Sequence, residues 1–315
     1  MDRSYEISGW RFQSNRSHIL NSKCTTPVIC LKFTSNLNLD KIDHWKKTLD
    51  EYYDLKNRFY YEKSICLFCK YKIILSMNHL PDMTYAANYL KIINTKSNLM
   101  LEFNALDALA PVIIKSYGLP SGLKVSASEA WLKARMSCEY TKNVFNADFD
   151  WTFSSDYPGS LSFADSQKDL REDQSPLKEL IVETDERIDV EKLKIRHSIN
   201  FFEEVELFED ELADHGVSKC SVKIRVHDNS FYILCRFFLR IDRILVRYFD
   251  TRLYHEFGQN FIIREQSHHE SAIADLTLPE DRAQALLTMP QELFQYVPCL
   301  KLKVTKILMP FLSNE

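Results

Sequence analysis

Glycine is nearly missing from this chain. Only Gly9, Gly118, Gly122, Gly159, Gly216 and Gly258 occur in 315 residues. Their spacing spells neither a dinucleotide-binding G-x-G-x-x-G nor a P-loop, and no G-x-S-x-G nucleophile elbow is present. Backbone cradling of phosphate is thereby set aside, and with it kinases, GTPases, dehydrogenases and the usual serine hydrolases. No apolar run approaches the roughly 18 residues of a membrane-spanning helix. The first residues, MDRSYEISGW, lack the basic-then-apolar order of a secretion signal. Charge of one sign is also lacking: 40 basic and 44 acidic residues leave a net charge of −4. No global field therefore recruits nucleic acid or an anionic membrane. The eight cysteines are expected to be reduced thiols in the cytosol or nucleus.

What is present is alternation. Residues 201–256 read FFEEVELFEDELADHGVSKCSVKIRVHDNSFYILCRFFLRIDRILVRYFDTRLYHE. Apolar and charged residues alternate there with a period near two, which describes strands with one face in a core. Strands are expected near 201–211, 218–227, 231–241 and 243–249. Their short connections force antiparallel pairing, since a parallel partner needs a crossover of a dozen or more residues. Phe231, Ile233, Cys235, Phe237, Leu239 and Ile241 share one face of the third strand; Tyr232, Leu234, Arg236, Phe238 and Arg240 share the other. Lys223 and Arg225 fall on the same side as Arg236 and Arg240. Beside Tyr232 and Phe238, these four cations form a candidate clamp for a carboxylate or an acidic peptide. The competing reading is a solvated face whose cations pair with Glu203, Glu204, Glu206 and Asp242 across the ladder.

Elsewhere the pattern predicts an edge strand or hairpin within 1–23 and strands at 89–93, 98–104, 148–153 and 180–183. Helices are predicted over 107–115, 127–136, 189–197 and 279–287, and a further hairpin joins 252–256 to 261–264 around Gly258. Residues 166–176 read as a loop. Residues 24–76 differ in kind: rich in Ile, Lys, Asn, Phe, Tyr and Leu, without glycine, and drawn from A- and T-rich codons. We expect an insert or a translated intron there, with a locally possible helix over 41–56.

Metal chemistry finds weak footing. The acids Glu203, Glu204, Glu206, Glu209, Asp210, Glu211 and Asp214 would leave a strand on both faces and lack EF-hand spacing. His268-His269-Glu270 resembles half of a two-His-one-carboxylate site. A metal-dependent oxygenase or hydrolase using His255 or His268 with Glu270 is therefore the enzymatic alternative. Cys66 and Cys69 form a lone C-x-x-C, and Cys24 with Cys30 has the wrong spacing for a second zinc pair. No metal ligand and no cofactor is expected. Asp250-Thr251-Arg252 reads as a strand-end loop, suited to binding or to a turn-stabilising ion pair.

Several segments together resemble the TIPRL family of TOR-signalling regulators, which bind type 2A protein phosphatases. They are WRF and SHIL near Trp10 and His18, LEFNALDAL from Leu101, LKVSASEAW from Leu123, DWTFSSDYPGSL from Asp150 and TDERIDVEKL from Thr184. NFFEEVELFEDELADHGVSKCSVKIRV is the most specific, with RFFLRID and DTRLYHE; REQSHHES, QYVP and TKILMP are fainter. The resemblance covers about 5–23 and 80–310 and leaves 24–76 without a counterpart. It implies a non-catalytic, cytosolic protein that binds phosphatase catalytic subunits and connects to the alpha-four class of phosphatase chaperones. Carried across matching motifs, the implied contacts are Asp107, Ile188, Asp250 and Arg252. Tyr248 stands beside them where the family usually has a different apolar residue. The residue pattern adds Lys223, Arg225, Arg236 and Arg240 as a cleft for the acidic C-terminal tail of the phosphatase. The expected fold is one α+β domain, a mainly antiparallel two-sheet sandwich with peripheral helices.

Overall fold

The computed structural model describes residues 2–21, 23–27, 29–30, 49–60, 65–75, 77, 80–115, 133, 152–164 and 176–310. The expected two-sheet α+β architecture is what they form. One sheet has the order β1 (Asp2–Ile7), β2 (Trp10–Asn15), β4 (Tyr89–Asn94), β5 (Leu99–Asn104), β6 (Ser160–Phe163). The other runs β3 (Met83–Thr84), β8 (Phe201–Asp210), β9 (Gly216–Val226), β10 (Ser230–Ile241), β11 (Leu245–Glu256), β12 (Phe261–Ala272), β13 (Cys299–Leu308), β7 (Ile181–Glu183). Every described pairing in both sheets is antiparallel.

Period-two patterning decides which residues meet between the sheets. Trp10, Phe12, Leu90, Ile92, Leu101 and Phe103 face Val205, Val222, Ile224, Phe231, Ile233 and Phe237 in one buried cluster. At its centre the Trp10 indole donates to His255 Nε2 at 3.1 Å, so Nδ1 of that ring carries the proton and donates to the Phe261 carbonyl at 2.8 Å. Burial holds the His255 pKa below its ordinary value. A ring with both nitrogens committed inside a core is a packing element.

The second face of the larger sheet is partly roofed. Phe238, Val246 and Tyr248 pack under Leu286, Leu293 and Val297, brought over them by the short helices Ala283–Leu286 and Pro290–Leu293. The helix expected at 279–287 is thus shorter than its pattern. Likewise 189–197 contracts to Val190–Lys194, started by Asp189 accepting the Glu191 N–H.

Two described helices between β2 and β3 pack on the same core. These, α1 (Leu49–Tyr60) and α2 (Leu67–Leu75), bury Tyr52, Leu55, Tyr71, Ile74 and Leu75 against it. Helix α3 (Ala105–Lys115) follows β5 directly; it starts two residues before the expected 107–115 and ends with it. The elements expected at 127–136 and 148–151, and the loop over 166–175, lie outside the described residues.

One glycine is irreplaceable for a visible reason. In the Asp156-Tyr-Pro-Gly159 turn, Gly159 has φ +89°, and a Cβ there would stand 2.7 Å from the Phe103 ring. Gly159→Ala is expected to cost about 1–3 kcal/mol from backbone strain and overpacking together. Urea denaturation checks it; an unchanged midpoint overturns the packing at this turn.

Candidate functional site

Seven of the residues singled out from sequence, Lys223, Arg225, Arg236, Arg240, Tyr248, Asp250 and Arg252, share the outer face of the larger sheet. Antiparallel register places Arg236 opposite Asp250, and Leu234 opposite Arg252. On the far side of β11, Asp250 faces Ser267, Arg252 faces Glu265, and Tyr248 faces His269. These side chains therefore leave the sheet on one side.

Asp250 is the electrostatic centre. Its side chain is wholly buried. Arg236 grips it through two bonds, Nε to Oδ1 at 2.7 Å and Nη2 to Oδ2 at 2.6 Å, and Arg252 Nη2 reaches Oδ2 at 3.2 Å. Two parallel N–H···O bonds suit the planar guanidinium. Burial alone would lower the Arg236 pKa; hydrogen bonding and charge from Asp250 outweigh it, and the group lies above its ordinary value. Both guanidiniums also lie over the Phe294 ring, at 4.4 Å for Arg236 and 5.2 Å for Arg252. Tyr248 flanks the same ring at 5.2 Å and donates its hydroxyl to the Pro290 carbonyl at 2.9 Å. Arg252 Nε is buried and has no hydrogen-bond partner among the described residues.

Ile188 joins from a distant segment. Its backbone N–H donates to Glu265 Oε1 at 3.0 Å, and its side chain packs with Tyr254 and Ile263. Arg187 grips the same carboxylate. Beyond it the segment exposes Val190, Ile195 and Ile199, and β8 exposes Phe202 on the same face as Arg225.

The location of the 250–252 motif differs from the strand-end loop expected. β11 runs unbroken through it, because β10 and β12 are long enough to pair with every residue from Leu245 to Tyr254. Asp, Thr and Arg look like turn residues in isolation; flanking ladders override that preference.

The four cations of β9 and β10 do share a face, but three are engaged within the molecule. Lys223 pairs with Glu204 at 2.8 Å, Arg236 with Asp250, and Arg240 with Asp242 at 2.8 Å while donating to the Leu287 carbonyl at 2.7 Å. Arg225 remains exposed.

Asp107 lies elsewhere, on α3 beside the smaller sheet, and is covered. It accepts from Tyr52 at 2.6 Å, Asn104 at 3.0 Å and Ser160 at 2.5 Å, and pairs with Lys56 at 2.8 Å. Burial would raise its pKa, but Lys56, Ser160 and Tyr52 outweigh that and hold it below its ordinary value. Tyr52 and Lys56 belong to α1, inside the segment read as an insert. Nothing in the local sequence around Asp107 announces that cover.

The acids of β8 are used for pairing. Glu203 is held by Arg3 and, at 2.7 Å, by Arg16; Glu206 and Glu209 share Lys219 at 2.6 and 2.9 Å. Among the described residues His268 Nε2 lies 3.4 Å from a Glu270 oxygen, but His255 does not join them. His268 stacks on Phe249, its ladder partner, and His255 stands six residues from Phe249 along β11, roughly 20 Å away at strand rise. His269 leaves the opposite face. Among the described residues, the one group able to hold a metal is Cys24, Cys30, Cys66 and Cys69, whose sulfurs lie within 4.8 Å of one another. The spacing that made Cys24 and Cys30 unsuitable is corrected by a helical turn: the Cys30 N–H donates to the Thr26 carbonyl at 3.0 Å, which folds Cys30 back beside Cys24.

Among the described residues no helix is long and apolar enough to cross a membrane. A family model described as the TIP41-like family matches residues 83–277. The TIP41-like protein of Homo sapiens is 44% identical over 237 residues, covering 75% of this chain and 79% of its own. That of Dictyostelium discoideum is 35% identical over 246 residues, 76% of this chain and 85% of its own. The type 2A phosphatase activator TIP41 of Saccharomyces cerevisiae is 36% identical over 210 residues, 62% of this chain and 54% of its own.

Proposed function

The chain belongs to the TIP41-like family, and from that premise we propose that it is a non-catalytic regulator that binds the catalytic subunit of type 2A protein phosphatases and modulates their activity or assembly within TOR signalling. The yeast relative's name, a type 2A phosphatase activator, supplies the partner class. The observation that carries a binding role is the convergence of Ile188, Tyr248, Asp250 and Arg252 on one sheet face, where Arg252 Nε is buried without a partner. The Arg252 side chain is 29% exposed, so the edge of its guanidinium that does not hold Asp250 is open to a partner's carbonyl or carboxylate. Exposed Arg225 extends the same face toward an acidic tail, and the exposed apolar groups of 190–202 offer the dry contact that a polar rim surrounds. The working compartment is the cytosol, with an alpha-four-type chaperone as a second partner.

Capture of the purified phosphatase catalytic subunit tests this. Arg252→Ala and Arg225→Glu are each expected to weaken binding by about 2 kcal/mol, roughly 30-fold in Kd. Arg11→Glu, on the other sheet, should leave it unchanged. If both outer-face variants keep their melting temperature and bind like the unmodified protein, the face is misassigned. Failure of the unmodified protein to capture any type 2A catalytic subunit overturns the function itself.

A further inference from the structure

Four cysteines outside the proposed binding face are arranged in a way the phosphatase reading does not use. Cys24 follows β2 at a short remove, Cys30 lies six residues later at the end of a turn closed on Thr26, and Cys66 and Cys69 bracket the start of α2. All four are free thiols. The Cys66 sulfur lies 3.7 Å from Cys24 and 3.8 Å from Cys30. Those distances are far longer than the ~2.05 Å of a disulfide. They match the edge of a thiolate tetrahedron: a central zinc with Zn–S near 2.3 Å puts neighbouring sulfurs about 3.8 Å apart.

The surroundings are those of a closed thiolate site. The Cys66 sulfur accepts backbone N–H groups from Cys69 and Thr25, one from each arm of the cluster. The Thr26 hydroxyl lies 3.3 Å from the Cys30 sulfur. Cys30 is buried and the other three are half-buried. Among the described residues the donor set is four soft sulfurs with no carboxylate or imidazole, which selects zinc and gives it a structural role. From this geometry we infer that Cys24, Cys30, Cys66 and Cys69 bind one zinc ion that clamps the 24–76 segment onto the sandwich.

Such a clamp has a mechanical purpose. α1 has 12 residues and α2 has 9, lengths at which isolated helices are marginal in water. Zinc would tie the start of α2 to the chain leaving β2, closing a loop that contains α1. α1 is the element that carries Tyr52 and Lys56 onto Asp107. The site thus fastens α1 and α2 to the protein, with four ligands a translated intron would supply only by coincidence.

Full-length protein purified without chelator, and analysed by elemental mass spectrometry, is expected to contain one zinc per chain. Titration of its thiols with an organomercurial should release that zinc, and exchange with cobalt(II) should give the visible bands of a tetrahedral tetrathiolate. Cys66→Ser with Cys69→Ser should reduce the zinc content from one to none, while Cys299→Ser, at an exposed thiol remote in sequence, retains it. Should the double variant fail to fold, the cobalt spectrum of the unmodified protein still decides. Protein that stays metal-free after incubation with zinc or cobalt overturns the inference, as does a cobalt spectrum without tetrahedral thiolate bands. Stoichiometric iron would also overturn it by replacing zinc as the resident ion.

Discussion

Asp250→Ala is expected to lower stability by about 3–5 kcal/mol, because it leaves a buried guanidinium without its anion. Arg236 is 11% exposed at its side chain and Asp250 is wholly buried. Neither is hydrated enough for water to replace the lost bonds. The Phe294 and Tyr248 rings over Arg236 favour a cation but accept no N–H in the plane of the guanidinium. Arg252 adds less, since 29% of its side chain reaches solvent and screening weakens its share. A double variant, Asp250→Leu with Arg236→Met, should recover most of the loss, since an apolar pair of similar volume removes both the charge and its cost. Urea denaturation of the single and double variants measures this. An Asp250→Ala midpoint equal to that of the unmodified protein overturns the buried pair. The comparison also separates fold from recognition: a double variant that regains stability yet captures no phosphatase shows that Asp250, which holds Arg252, serves binding as well as stability.

The sheet scaffold was legible because strand periodicity is local. Which residues of β10 face inward follows from alternation alone, and the inner row Phe231, Ile233, Cys235, Phe237, Leu239 is buried as expected. The role of the cations was half legible: alternation put Lys223, Arg225, Arg236 and Arg240 on one face, but whether each meets an acid depends on register. Register is set by pairings between strands, and it matched Arg236 to Asp250 and Lys223 to Glu204. Asp250-Thr251-Arg252 carried turn chemistry in its own sequence, and only long neighbouring ladders made it strand. The cysteine cluster was hidden for a related reason. Spacing rules assume that both ligand pairs sit on tight knuckles, whereas here one pair is closed by a helical turn. The cover on Asp107 was beyond local reading altogether, because Tyr52 and Lys56 come from a segment whose composition argued against folding.

Asp107 is where helix α1 of that segment makes a buried ion pair. Asp107→Leu is expected to cost about 3–5 kcal/mol, since it removes the anion facing the Lys56 ammonium, 9% exposed, and the buried acceptor of the Tyr52 hydroxyl. Lys56→Met alone should also destabilise, because it leaves the carboxylate buried with neutral donors only. The two changes together should cost less than their sum, with a coupling of about 1–3 kcal/mol in a double-mutant cycle. The pH dependence has a fixed sign. Asp107 has a lowered pKa in the fold, so its contribution is fully present above the ordinary carboxylate pKa. It is lost as pH falls through the lowered folded value. Asp107→Asn should therefore flatten the acid limb of the stability profile while leaving its neutral and alkaline limbs parallel to those of the unmodified protein. An additive cycle and an unchanged acid limb would together show that α1 does not seat Lys56 on Asp107. If the coupling is found, any partner that contacts Asp107 must first displace α1, and its affinity should rise when Lys56 and Tyr52 are replaced by alanine.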